Sequence, residues 1–397
     1  RARAEALAQA RAEERAAEEA ARPVEPFVAE NDQAPMNWWN DRVFYEIFIR
    51  SFQDSDGDGV GDINGLISRL DYLNDGDPET TDDLGITGIW LMPMMESPSY
   101  HGYDVTDYFS VDSEYGTMED FERLLAEAEA RGIAIIIDVV LNHSAVDHPM
   151  FRESEAGNPE FRDWYIWQDQ PGDYTGPWGQ GVWHRGRGGD YYYGVFWSGM
   201  PDLNYRNPEV TEWAYEVSRY WLEDVGVAGF RLDAIKHLIE DGQVQENTDE
   251  TLDWFAGFYE FYKDIDEDAF MVGEVWSGTE ETLRYVDSGV DMTFEFDLAS
   301  SMQSSAGAGH HRAIYRVMDE LASAYPNNQW ASFISNHDQT RYMTRYRGDL
   351  GKAQSVSAML LTLPGVPFLY YGEEVAAEGD KPDPNIRRPM QWTAEPG

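Results

Sequence analysis

Eight short apolar runs, rich in β-branched and aromatic residues, recur along the chain. They lie at 43–52 (VFYEIFIRSF), 87–93 (TGIWLMP), 132–140 (GIAIIIDVV), 227–233 (VAGFRLD), 270–276 (FMVGEVW), 290–297 (VDMTFEFD), 330–336 (WASFISN) and 366–371 (VPFLYY). Between most of them run amphipathic stretches such as 118–130 and 209–224, apolar at helical spacing. Strands that read as continuous apolar runs are buried on both faces, which requires a parallel sheet covered by helices. Eight such units predict an α/β fold, a (β/α)8 TIM barrel rather than an open sheet.

The segment 144–208 breaks this rhythm. It is rich in Gly, Trp, Tyr and Pro, shows no helical period, and is too long for a plain loop. It reads as an inserted domain B after the third strand, which leaves 37–143 and 209–397 as the barrel. Residues 1–36 open on Ala, Glu and Arg with little to bury and pass into a Pro-containing linker, so they read as an exposed helical or frayed extension. No eighth barrel helix is recognisable before 397, and the chain is read as a fragment of a longer protein.

Composition narrows the function classes. The chain carries 74 acidic against 29 basic residues, a formal net charge of −45. Lysine is confined to Lys236, Lys263, Lys352 and Lys381. Such a surface repels phosphate backbones, so no nucleic-acid partner is expected. It also repels itself until salt screens it, which points to a salt-adapted (halophilic) protein. With no Cys, disulfides and thiolate metal sites are excluded. No run of about 18 apolar residues exists to span a membrane. Aromatic residues make up 14% of the chain, a content that suits the flat apolar faces of sugars but also fills cores.

Chemistry in such a barrel sits at the C-terminal ends of the strands. There the third strand carries Asp138, Asn142 and His143, the fourth Arg231 and Asp233, the fifth Glu274, and the seventh His337 and Asp338. Arg231 and Asp233 are two apart and share a face. Three carboxylates converging with an Arg fit glycoside cleavage. One carboxylic acid protonates the leaving oxygen, and an ionised partner about 5–5.5 Å away gives retention. Arg231 is expected to keep Asp233 ionised.

The segments 138–143 (DVVLNH), 229–237 (GFRLDAIKH), 273–276 (GEVW) and 333–338 (FISNHD) resemble, in order and spacing, the four signature segments of the α-amylase family, glycoside hydrolase family 13. MPDLN at 200–204 resembles its fifth segment, of a type between the oligo-1,6-glucosidase and neopullulanase subfamilies. The resemblance covers roughly 37–397. It implies retaining cleavage of α-glucosidic bonds, a domain B, and a C-terminal β domain missing from this chain. By position, Asp233 matches the nucleophile, Glu274 the general acid/base, and Asp338 the acid that holds sugar hydroxyls. Arg231, His143 and His337 match groups that hold the sugar at the cleavage point, and Tyr103 the aromatic platform beneath it. Lys236 and His237 match the leaving-group side.

Residues 54–62 (DSDGDGVGD) place Asp54, Asp56, Asp58 and Asp62 at every second position, with glycines for a tight wrap. Hard oxygen donors in this pattern suit structural Ca2+, or Mg2+, with the Val60 carbonyl as a further ligand. Gly65 stands where an EF-hand would need Glu, so that loop type is excluded. The resemblance implies a second cation site at Asn142.

Exo-acting α-glucosidases of the family usually carry Asp three residues before the platform Tyr. Here Tyr100 occupies that place, which favours attack within a chain. The expectation is a secreted, monomeric α-amylase acting on starch and maltooligosaccharides. RRPMQW at 387–392 leans towards the oligo-1,6-glucosidases, so an α-glucosidase or transglycosylase is the rival enzyme. A non-catalytic transporter subunit is the remote alternative, without the membrane anchor it would need.

Overall fold

The structure, a computed structural model, describes residues 36–325 and 329–393. The expected N-terminal extension lies outside the described residues, apart from Met36. Eight strands form one sheet: Phe44–Ile47 (β1), Gly88–Leu91 (β2), Ala134–Val139 (β3), Gly229–Leu232 (β4), Phe270–Gly273 (β5), Met292–Thr293 (β6), Ala331–Ser332 (β7) and Val366–Tyr370 (β8). Their order is β6-β5-β4-β3-β2-β1-β8-β7. Every pairing is parallel. A parallel bridge between Phe294 and Ala331 joins the two ends, so the sheet closes into a barrel.

Each strand falls within its apolar run and is shorter than it, because the C-terminal residues of the runs leave the ladder to enter the loops. Period-two alternation sorts the side chains. Phe44, Ile136, Phe270, Val272, Met292, Val366 and Phe368 pack together inside the barrel, with Phe44 stacked on Phe368 at 4.5 Å. Tyr45, Ile47, Ile89, Leu91, Ile135 and Ile137 join the outer core beneath the helices. Two residues on from Phe44, Ile136 and Gly229, the interior carries Glu46, Asp138 and Arg231, all buried. Asp138 pairs in register with Arg231. Gly229 is required at the start of β4, since a Cβ there would meet the Phe270 carbonyl oxygen at 1.9 Å.

The helices follow their sequence signals. Met118–Glu129 begins with a reciprocal Thr117–Asp120 capping box and buries Phe121 and Leu124. Pro208–Arg219 begins at an Asn207 cap with Pro at its first position, then widens into a π-helical turn over Tyr220–Val225. No helix among the described residues is long and apolar enough to cross a membrane.

The insert contains a three-stranded antiparallel sheet, Trp167–Gln168, Tyr191–Tyr193 and Trp183–Arg185. It also contains a helix, Pro149–Glu155, that the sequence reading did not expect. That helix spans only two turns, too short to show a period. Pro149 at its start and the His148 side chain accepting from Met150 N set it off, and it buries Phe151 and Ser154.

Candidate active site

The interior layer that ends the barrel is built on one guanidinium. Arg231 is 1% exposed. Its Nη1 donates to Asp138 at 2.9 Å and to Asp233 Oδ1 at 2.8 Å, and its Nη2 lies 2.8 Å from Glu274 Oε2. Three carboxylates from β3, β4 and β5 therefore converge on a single planar cation. The residue after Asp233, Ala234, is left-handed (φ 50°), a conformation disfavoured for a residue with a Cβ. Its N–H donates to Glu274 Oε2 at 3.2 Å, so the turn that ends β4 also orients the carboxylate from β5.

Asp338 is held from the other side. Arg387 Nη2 donates to its Oδ1 at 2.8 Å, and Arg387 Nε donates to the His337 carbonyl at 2.9 Å. Tyr103 Oη lies 2.6 Å from His337 Nε2 and 3.2 Å from Asp138 Oδ2, and its ring stacks on that of His337. His143 donates Nε2–H to the Tyr103 carbonyl at 3.1 Å, which fixes the strand-two loop to the strand-three end.

These groups line a cavity of about 540 Å³, within the range of ligand-binding clefts. Asp233, Glu274, Asp338, Tyr103, His143, Lys236 and His237 all face it. Arg231 and His337 do not. They lie buried directly behind the wall and act on its members. Lys236 Nζ is committed to the Trp276 carbonyl at 2.9 Å and to Glu246 at 2.7 Å, while His237 bonds the Gln245 carbonyl at 2.8 Å.

Charge in the site departs from the sequence expectation at Asp233. Burial drives its carboxyl well above the ordinary carboxylate range, and Arg231 only partly opposes this, while Glu274 and Asp138 add to the rise. Burial likewise lifts Asp138 to about 6 against the pull of Arg231. Burial opposes ionisation of both Asp233 and Asp138, and Arg231, which donates to each, is the group that favours their carboxylate forms. Asp338 goes the other way. Against the upward pull of burial, His337 and the Arg387 guanidinium hold it at about 2. Burial drives His337 itself towards its neutral form, so the formal charges that favour the Asp338 carboxylate are Arg387, Lys381 and Arg231.

Sequence reasoning missed several members of the site. Arg387 belongs to RRPMQW, a signal read only as a subfamily marker. Asp383 lines the cavity and bonds Arg387 at 3.4 Å. Trp276, the last residue of GEVW, lines the cavity 48% exposed and stacks on Phe296. The insert contributes Trp178, Phe196, Trp197 and Met200, with Trp178 60% and Trp197 50% exposed. Nothing in the sequence distinguishes these rings from core aromatics.

In the acidic loop, Asp54, Asp56 and Asp58 offer carboxylate oxygens that lie within 4.8 Å of one another. Backbone N–H groups orient them: Gly57 and Gly59 donate to Asp54, Asp58 to Asp56, and Val60 to Asp58 at 2.7 Å. Asp62 is drawn away from this trio. It accepts from Ser55 N and caps the helix Ile63–Ile67 through Gly65 N. At the insert boundary, Asn142 Oδ1 and Asp202 Oδ2 are both buried without a hydrogen-bond partner among the described residues. The bridge between His143 and Asp202 brings them side by side.

Comparison with known proteins agrees with this architecture. The family described as "Alpha amylase, catalytic domain" matches residues 46–397. Alpha-amylase 3 of Dictyoglomus thermophilum is 41% identical over 90% of this chain and 68% of its own length. The probable oligo-1,6-glucosidase 2 of Bacillus subtilis is 35% identical over 85% of this chain, which spans 66% of that protein. The crystal structure of the α-amylase from H. orenii superposes with a TM-score of 0.84 at 44% identity, covering 90% of this chain and 74% of that one. With a closed eight-stranded barrel, its carboxylates at the strand ends and a family match over nearly the whole described chain, this protein belongs to the α-amylase family of glycoside hydrolases.

Proposed function

We propose that this chain cleaves α-1,4 bonds within starch and maltooligosaccharides, with retention, as an α-amylase. The observation that carries this reading is that Asp233 and Glu274 occupy two nitrogens of one guanidinium while both face one cavity. A sugar seated on Tyr103 would present its anomeric carbon to the Asp233 carboxylate. Glu274 gives its proton to the departing glycosidic oxygen as the Asp233–sugar bond forms. It then takes a proton from the water that breaks that bond. Asp338, kept ionised beside Arg387, accepts from sugar hydroxyls. Trp276, Trp178 and Trp197 supply apolar faces for further sugar units.

Attack within the chain is supported by Tyr100 at the place where exo-enzymes carry an acid. The oligo-1,6-glucosidase reading draws on the name of the Bacillus relative and on Arg387. A time course of products from soluble starch, set beside maltose and isomaltose as substrates, separates them. Mixed maltooligosaccharides appearing early support the proposal. Glucose alone, with isomaltose preferred, contradicts it.

Ca2+ bound by Asp54, Asp56 and Asp58 would tie the acidic loop together and neutralise its charge, a structural role that their hard oxygen donors fit. A second cation at Asn142, with Asp202 facing it, would satisfy two buried oxygens. The acidic excess and a polymeric substrate support a secreted, salt-adapted enzyme acting as a monomer. Activity that rises with NaCl is the expected signature.

A further inference from the structure

The interior layer contains a carboxylate that the two-carboxylate mechanism does not use. Glu46 is the third residue of β1, and the alternation of that strand turns it inward, where it is 2% exposed. Its Oε1 lies 2.5 Å from Nδ1 of His337. The other ring nitrogen, Nε2, lies 2.6 Å from Tyr103 Oη and 3.3 Å from Asp338 Oδ2. Tyr103 lies nearly parallel to the ring with centroids 5.6 Å apart, so its Oη meets Nε2 end-on, and Trp90 packs against the ring edge-on at 5.6 Å. One buried carboxyl therefore bonds the side of His337 that faces away from the cavity, and the sugar-facing groups bond the other.

A neutral imidazole carries one N–H, so its two nitrogens cannot be alike. If Glu46 were ionised, Nδ1–H would donate to it and Nε2 would be a bare acceptor. Tyr103 would then have to give its proton to Nε2. Asp138 would lose its Tyr103 donor, and the Nε2 lone pair would face the carboxylate of Asp338. If Glu46 carries a proton, each side-chain contact finds a donor, and Oε1 can still accept the His337 backbone N–H at 3.4 Å. Glu46 donates to Nδ1, Nε2–H donates to Tyr103 Oη, and Tyr103 donates to Asp138, which also accepts from Arg231. The charges acting on the pair are Arg231, Asp138 and Asp338 on Glu46, and Asp338, Arg387, Arg231 and Lys381 on His337. Burial raises Glu46 and keeps His337 neutral, in agreement with the second arrangement.

We propose that Glu46 is a positioning residue of the reaction: protonated, it donates to Nδ1 of His337 and so fixes Nε2–H as a donor beside Tyr103 and Asp338. It acts through His337 and never touches the sugar. The inference rests on the glucan-cleaving reading for its effect on rate, but the tautomer it requires is a property of the free protein.

The test labels histidine with ¹⁵N and reads the His337 ring by NMR, its signals assigned by their loss in His337→Gln. The expected result at pH 7 is an Nε2–H tautomer in the parent. Glu46→Gln should keep it, because the amide also donates to Nδ1, and should hold it to higher pH than the parent, since an amide does not titrate. Glu46→Leu should lose the preference and lower kcat by about tenfold or more, while Glu46→Gln stays within about threefold of the parent. An Nδ1–H tautomer in the parent overturns the proposal, as does a folded Glu46→Leu with unchanged kcat. Because the ring signals need no substrate, failure of the starch assay alone would count against the glucan reading and not against Glu46.

Discussion

Arg231 bridges Asp233 and Glu274, with Nη1 2.8 Å from one carboxylate and Nη2 2.8 Å from the other. The fork geometry of a guanidinium sets how far apart the two can stand, and a point charge could not do the same. The distance between the carboxylates proposed as nucleophile and acid is thus a property of one side chain on β4 as much as of the barrel. Asp138 completes the ring of acids from β3.

Replacing Arg231 should therefore damage rate and stability separately. Arg231→Leu strands Asp138, Asp233 and Glu274 without a counter-charge and should cost about 3–5 kcal/mol, read by chemical denaturation. Arg231→Lys keeps the charge and loses the span. It should fold and still lose roughly a hundredfold in kcat through misplacement of the acids. Parent-like kcat in Arg231→Lys would show that the fork does not set the geometry.

Arg387 is the second such device. Together with His337, and with Lys381 and Arg231 farther off, it holds Asp338 at about 2 where burial alone would raise it. In Arg387→Gln the group should lose that support, so the acid limb of kcat/KM should move to higher pH. Superimposable acid limbs in the two proteins would show that Asp338 does not depend on Arg387.

Glu373, just past β8, carries a buried carboxyl that burial pushes up to about 8. Ser335 donates to one of its oxygens, and the other has no partner among the described residues. Because the folded value lies above the unfolded one, the stability it contributes is full below about 4.5 and is lost as pH rises through about 8. Glu373→Gln should raise Tm at pH 8.5 and change it little at pH 5. An equal shift at both values would mean that the group does not titrate.

For the acidic loop, chelation should lower Tm in the parent. It should lower Tm clearly less in the Asp54→Ala/Asp56→Ala double variant, where only the cation proposed at Asn142 and Asp202 would remain to be removed. Saturating Ca2+ at 100 times its Kd stabilises by about 2.7 kcal/mol. A double variant as chelation-sensitive as the parent would place the stabilising cation outside the acidic loop, with Asn142 and Asp202 the next residues to replace.

Much of this was legible in the sequence because a closed parallel barrel forces it. Continuous apolar runs marked all eight strands, and the polar residues at their ends marked the mouth. Legibility failed where meaning depends on a distant partner. Glu46 looks like one polar residue in an apolar strand until β1 is rolled beside the loop that carries His337. Arg387 acquires its role only when the loop after β8 folds back onto Asp338. The sign of the shift at Asp233 was misread because sequence shows the neighbouring Arg231 but not the burial, nor the other two acids that compete for the same cation. The rings of Trp178 and Trp197 are indistinguishable in sequence from Trp90 or Trp221, which are fully buried.

The most direct test of the account is the configuration of the first product. Fresh ¹H NMR spectra of maltooligosaccharide cleavage would be recorded for the parent and for Asp233→Asn. The account expects the α-anomer to form first, with mutarotation following, and expects Asp233→Asn to lose nearly all of this activity. A β-anomer forming first, or an Asp233→Asn variant as fast as the parent, would contradict a glycosyl bond to Asp233.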